Sequence, residues 1–213
     1  MVISERYKVI WWLPARTASR TTADFLTPYD FKNSIDGLPI KDSYTHDVGI
    51  PKGCEDYSII CNIRNPYARV LSVWHCEAFK ENPSTGELVI TRPFSEFLKT
   101  GYTCCGDLLH AFKIKIPDYF IRVENLYEDV KRLPFFDADD SVTQERIKFY
   151  FGSDYFPGGY YEEGVAGGVL KRDPNNPRLS DYKSYYSTQA ELDIVYDSYK
   201  IIFEKLGYPR EFI

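Results

Sequence analysis

Two stretches of this chain are continuous apolar runs bounded by turn residues. They are residues 7–13 (Tyr7-Lys8-Val9-Ile10-Trp11-Trp12-Leu13) and 57–63 (Tyr57-Ser58-Ile59-Ile60-Cys61-Asn62-Ile63). Runs of this length predict central parallel strands covered on both faces. Ser43–Val48 is a candidate short strand between them, and Asp118–Val123 a further one. Helices are expected after the first two strands, near 19–27 and 66–80, where Asn65 suits an N-cap and Pro66 the first helical position. Others are expected near 94–100, 105–113 and 141–151. The last helix is the clearest. Thr188 and Glu191 form a capping-box pattern. Leu192, Val195, Tyr196, Tyr199, Ile202, Phe203 and Leu206 then recur at helical spacing, and Gly207 ends the run. Residues 152–180, rich in Gly, Pro and Asn, read as a long loop of the kind that often forms a functional lid. Alternating strands and helices predict an α/β fold: a single domain over 1–213, with a mostly parallel central sheet flanked by helices.

Composition narrows the function classes. Apolar content of 44% and charged content of 27% are ordinary for a globular protein. A net charge of −5 argues against a chain built for nucleic acid or an anionic membrane, so an anion site must be a local basic patch. Cys54, Cys61, Cys76, Cys104 and Cys105 include no C-x-x-C pair, which predicts reduced, mostly buried thiols and no zinc site. Val9–Leu13 is too short for a signal-peptide core or a membrane span. A cytoplasmic chain with no bound metal is the expectation.

The candidate chemistry follows the two apolar runs. After the first comes Pro14-Ala15-Arg16-Thr17-Ala18-Ser19-Arg20-Thr21-Thr22, and after the second Arg64-Asn65-Pro66-Tyr67-Ala68-Arg69-Val70-Leu71-Ser72. A buried strand, a tight basic turn and a helix form a phosphate cradle, with backbone N–H groups and the helix N-terminus facing the anion. In the first segment small residues allow close approach, Arg16 supplies charge, and Ser19 and Thr21 supply hydroxyls. An ordinary capped helix start with solvated arginines uses the same residue types. In the second, Arg69 and Ser72 share a helix face. Two cradles suggest a ligand with phosphates at two places. No G-x-x-x-x-G-K-[ST] string occurs, so neither is a Walker loop.

These segments resemble the sulfotransferases that use 3′-phosphoadenosine-5′-phosphosulfate (PAPS). Ala15–Thr21 resembles their first motif, P-K-[ST]-G/A-[ST]-T, and Arg64–Ser72 matches R-N/D-P-x-x-R-x-x-S in full. Tyr185-Tyr186-Ser187 and Tyr199–Tyr208 resemble the closing segment, in the flavour of the carbohydrate sulfotransferases. The resemblance implies a P-loop-like sulfotransferase fold. It assigns Arg16, Thr17, Ala18, Ser19, Arg20 and Thr21 to the 5′-phosphosulfate, and Arg64 and Ser72 to the 3′-phosphate. Lys171 and Arg172, in the long loop, would close over the cofactor. The chain departs from the pattern at Ala15, at Arg16 (usually lysine), at Arg20 (usually threonine) and at Thr21, where cytosolic members place a tryptophan against adenine. Arginine offsets charge as lysine does, with a planar fork in place of a point charge.

Such a transfer needs a base for the acceptor hydroxyl. His46, in Tyr44-Thr45-His46-Asp47, resembles the family's T-H segment upstream of the second motif, and a histidine titrates near neutral pH. A loop histidine with no role fits the same string. His75 reads as structural, and His110 stands in no motif. Glu55 and Glu77 are substitutes that nothing singles out. The implied reaction is in-line, with His46 taking the proton, Arg16 stabilising the leaving oxygen, and adenosine 3′,5′-bisphosphate as product. Aromatic faces, among them 18 tyrosines, suit a carbohydrate acceptor, although core packing uses most of them. The alternatives are a P-loop-like small-molecule kinase and a non-catalytic nucleotide- or sugar-binding module.

Overall fold

The computed structural model describes residues 1–33, 37, 40, 46–81, 84–85, 88–100, 108, 112–136, 140–151 and 179–210. In chain order the elements are β1 (Val2–Ser4), β2 (Val9–Trp12), α1 (Ser19–Leu26), β3 (Lys32–Asn33), β4 (Ser58–Ile63), α2 (Pro66–Ala78), β5 (Phe79–Glu81), β6 (Leu88–Ile90), α3 (Phe94–Lys99), β7 (Tyr119–Arg122), α4 (Leu126–Lys131), α5 (Ser141–Phe151) and α6 (Gln189–Leu206). Short 3₁₀ turns lie at Val123–Asn125 and Leu179–Tyr185. The chain divides into two compact units, Met1–Arg64 with His110–Lys171, and Asn65–Leu109 with Arg172–Ile213.

The first unit holds a five-stranded sheet of order β3-β1-β2-β4-β7. β2 pairs in parallel with β4, and β4 with β7, whereas β1 is antiparallel to both β2 and β3. The class is α/β as expected, but the sheet is mixed and not mostly parallel. The cause is local. Ser4 Oγ accepts from Tyr7 N (3.2 Å), and Lys8 takes a left-handed conformation (φ 54°), so the chain folds back and β1 lies against β2. His46–Val48 form no strand, and β4 lies directly beside β2; the rest of the expected strand falls outside the described residues.

Val9, Ile10, Trp11 and Trp12 are at most 1% exposed, as a strand covered on both faces requires. Alternation places Val9 and Trp11 of β2 on one face with Ile60 of β4 and Ile121 of β7. There they pack with Phe25 and Leu26 of α1, Val130 of α4 and Ile147 and Phe151 of α5. Full burial of such side chains stabilises the fold by about 1.5–3 kcal/mol each. Arg146 of α5 donates to the carbonyls of Asp24 (3.4 Å) and Phe25 (2.9 Å), so a cation meets the carboxyl end of α1. Leaving β2 the chain passes through α1 to β3, beyond β1, whereas β7 lies on the other side of β4. The connections diverge at the carboxyl ends of β2 and β4, which is where open α/β sheets place ligands.

In the second unit Asn65 Oδ1 caps α2, accepting from Tyr67 N (3.0 Å) and Ala68 N (3.4 Å), with Pro66 the first helical residue. α2 stops at Ala78, short of the expected 80, because Thr91 donates to the Ala78 carbonyl through both N (2.7 Å) and Oγ1 (2.9 Å). The chain then enters the β5–β6 pair. Trp74 Nε1 donates to Arg92 O and Tyr186 hydroxyl to Tyr67 O. The helices expected at 94–100 and 141–151 form within a residue of those bounds. Most of 105–113 and of 152–180 lies outside the described residues. Cys54, Cys61 and Cys76 are thiols, and of these three Cys61 alone is buried, Cys54 being half-buried and Cys76 exposed, so the expected burial holds for one of them. No described helix is long and apolar enough to cross a membrane.

Candidate functional site

Beyond β2 the chain turns through residues 14–18 into α1. Arg16 (φ 66°) and Ala18 (φ 56°) both occupy the left-handed region. That conformation costs an L-residue with a Cβ about 1–2 kcal/mol, so other contacts must hold the turn. Two sets do so. Thr17, with no exposed surface, donates its N–H (3.3 Å) and its hydroxyl (2.6 Å) to the Pro14 carbonyl. From β4, Asn62 Nδ2 donates to Thr17 O (2.9 Å) and to Thr22 Oγ1 (2.8 Å), while its Oδ1 accepts from Trp11 Nε1 (2.8 Å). The indole can only donate and the peptide carbonyl can only accept, so this amide has one orientation. Trp11, Thr17, Thr22 and Asn62 are all fully buried.

Several donors of the turn have no acceptor among the described residues. α1 starts at Ala18 with no side-chain cap and no acid in its first turn. The N–H groups of Ala18, Ser19 and Thr21 have no acceptor among the described residues. Ser19 is 7% exposed, and its hydroxyl likewise has no partner there. Unsatisfied N–H groups and the positive end of a helix make an anion-binding concavity. Around it Arg16 and Thr21 are half-buried and Arg20 is exposed.

Two residues picked out by the sequence come to the same strand end. Arg64, directly after β4, donates from Nη1 to the Arg16 carbonyl (3.4 Å), so the start of the second basic segment touches the first. His46 Nδ1 lies 2.7 Å from the Leu13 carbonyl. A carbonyl only accepts, so Nδ1 carries a proton, and in the neutral ring the basic lone pair sits on Nε2. Trp12 Nε1 donates to Gly49 O (2.8 Å), which ties the segment after His46 to β2.

The other candidates belong to the second unit, fall outside the described residues or make other contacts. Arg69, fully buried, and Ser72, 2% exposed, sit on α2 in the second unit. Lys171, Arg172 and His110 lie outside the described residues. His75 packs against the rings of Trp74 and Tyr185, at centroid distances of 4.8 and 5.8 Å. Glu77 pairs with Arg92 (3.7 Å). Glu55 accepts from Gly53 N, and this backbone bond holds its carboxyl below the usual range, which makes it a poorer base. No group of three or more metal-ligating side chains occurs among the described residues.

Sequence reasoning missed Asn62, Trp11 and Thr22. The signal was present: Asn62 is the one amide in the buried run Ile59–Ile63, and a buried polar group needs a partner. Two open hollows lie apart from the turn. One, of about 390 Å³, includes Arg6 and Tyr7 before the amino end of β2; the other, of about 400 Å³, lies beside Thr27 and Pro28 after α1. Neither contains a residue of the turn. Comparison with known protein families, with curated proteins and with solved structures finds no match to this chain.

Proposed function

We propose that this chain is a PAPS-dependent sulfotransferase with a P-loop-like fold, acting on an acceptor hydroxyl, with a carbohydrate as the acceptor class. One observation carries the reading. The strained turn, with N–H groups that have no acceptor among the described residues, the Arg64 guanidinium and the His46 ring converge at the carboxyl end of β2. The residues present fit the cofactor, since open donors beside Arg16 suit a 5′-phosphosulfate and Arg64 suits a phosphate. Bound there, PAPS supplies an activated sulfuryl group.

The chain's own residues then have separate tasks. The turn N–H groups and Arg16 hold negative charge in a site whose dipoles are already oriented, so little reorganisation is needed. Arg64 offers a planar fork to a phosphate. His46 takes the proton of the acceptor hydroxyl at Nε2, its ring set by the Nδ1 bond to Leu13 O.

Calorimetry with adenosine 3′,5′-bisphosphate, ATP and AMP tests the reading, followed by labelled PAPS against a panel of oligosaccharides. The bisphosphate is expected to bind most tightly and label to reach a sugar. ATP binding as tight or tighter points to a kinase and sinks the proposal. Bisphosphate binding with no transfer to any acceptor marks a binding module.

A further inference from the structure

We infer that Asn62, which no motif includes, is the positioning residue of the anion site: by holding the Thr17 carbonyl inward it aims the Ala18 N–H at the bound anion. This rests on the reading of the turn as an anion site, and accounts for how the turn keeps a conformation its residues disfavour.

Peptide geometry makes the link. No peptide bond among the described residues is cis, and in a trans peptide the carbonyl and the N–H point in opposite directions. The Thr17 carbonyl points to Asn62 Nδ2, at 2.9 Å, in the interior between β4 and α1. The N–H of the same peptide, that of Ala18, must therefore point away from the interior. It has no acceptor among the described residues. Rotating this peptide would bring its N–H against the Asn62 amide, donor to donor. Asn62 itself cannot turn over, because Trp11 Nε1 requires an oxygen at Oδ1 (2.8 Å). The indole thus fixes the amide, the amide fixes the peptide, and the peptide fixes a donor. The bond from Asn62 to Thr22 Oγ1 (2.8 Å) ties the same amide to α1 but does not bear on the Thr17–Ala18 peptide.

This chain of dependence differs from simple stabilisation. If Asn62 only stabilised the fold, removing any of its bonds would lower stability and leave anion affinity in the folded protein unchanged. If it positions the donor, affinity follows the Trp11–Asn62–Thr17 branch and is indifferent to the Thr22 branch.

The test follows the amide resonance of Ala18 in the intact protein during titration with inorganic pyrophosphate and, separately, with adenosine 3′,5′-bisphosphate. The parent is compared with Asn62→Leu, Trp11→Phe and Thr22→Val, each checked for folding by circular dichroism. In the parent the Ala18 amide is expected to move on saturation. Asn62→Leu should weaken pyrophosphate binding about 10- to 100-fold, the worth of a hydrogen bond to a charged group. Trp11→Phe should weaken it less, and Thr22→Val should leave it near the parental value. Should Asn62→Leu fail to fold, the contrast between Trp11→Phe and Thr22→Val decides. Parental affinity in folded Asn62→Leu, or in Trp11→Phe, overturns the inference, as does an Ala18 amide that no anion moves. An Ala18 response to pyrophosphate, lost in Asn62→Leu, with no preference for the bisphosphate over ATP, upholds this inference and removes the sulfotransferase reading. Tight bisphosphate binding that the Asn62 and Trp11 substitutions leave intact does the reverse.

Discussion

Helices α1 and α6 begin in opposite ways. At α6, Thr188 accepts from Glu191 N (3.3 Å) and the Glu191 carboxylate accepts from Thr188 N (3.1 Å) and Ser187 N (2.7 Å). Here the N–H groups of Ser187, Thr188 and Glu191 are answered within four residues of chain. At α1 the cap is Ala18, left-handed and without a side-chain oxygen to offer, and its N–H and those of Ser19 and Thr21 have no acceptor among the described residues. Yet α1 is firmly held, by a buried network reaching from Asn62 and by Arg146 at its far end. A helix start that is closed locally serves the fold. One whose donors find no acceptor among the described residues, while distant residues hold it in a disfavoured shape, has the form that the proposed anion site requires.

That contrast yields measurable expectations. The largest concerns rate. His46→Ala should slow transfer by about 10²–10⁴-fold, the usual worth of a general base, while bisphosphate affinity by calorimetry stays close to parental. Turnover at the parental rate would exclude His46 as the base. Next, Arg64→Ala should cost about 1.5–3 kcal/mol of bisphosphate binding, as for a hydrogen bond to a charged group. Calorimetry on this variant measures the loss, and an unaffected Arg64→Ala would remove the 3′-phosphate assignment.

At the closed end the expectation reverses. Thr188→Ala should lower stability in urea by about 0.5–2 kcal/mol through loss of the capping box, with bisphosphate affinity unchanged. A change in affinity with no loss of stability would break the comparison. The smallest effect is at α5, where Asp140 accepts from the hydroxyl and N–H of Thr143 and from Val142 N. These bonds, the Thr143 hydroxyl foremost, hold its carboxyl below the usual carboxylate range. A depressed folded-state value contributes stability above the unfolded value, and that contribution is lost as pH falls through the folded one. Asp140→Asn should therefore lower the melting temperature slightly at neutral pH and flatten its fall below about pH 4, with parent and variant converging at the acid end. An unchanged acid limb would show that Asp140 has no part in it.

What could be read from the sequence was whatever depends on near neighbours. The apolar runs marked β2 and β4 to within two residues at each end, because a short unbroken run of apolar residues between turn signals suits a strand covered on both faces. The capping box at Thr188, the stop at Gly207 (φ 68°) and the Asn65–Pro66 start of α2 are likewise settled within one helical turn. Arg64, His46 and the Arg16–Thr21 turn were singled out by residue type and order alone. The tertiary structure decided the rest. It folded β1 back to make the sheet mixed, and it ended α2 at Ala78 by giving that carbonyl to Thr91. It turned the Thr17 donors inward, and set Arg64 against Arg16 and His46 against Leu13. The last two contacts join residues 48 and 33 positions apart, and Asn62 reaches Thr17 across 45. No local periodicity encodes such a meeting. It exists because neighbouring parallel strands bring their carboxyl ends together, where a buried amide must find partners and a strained turn must find support.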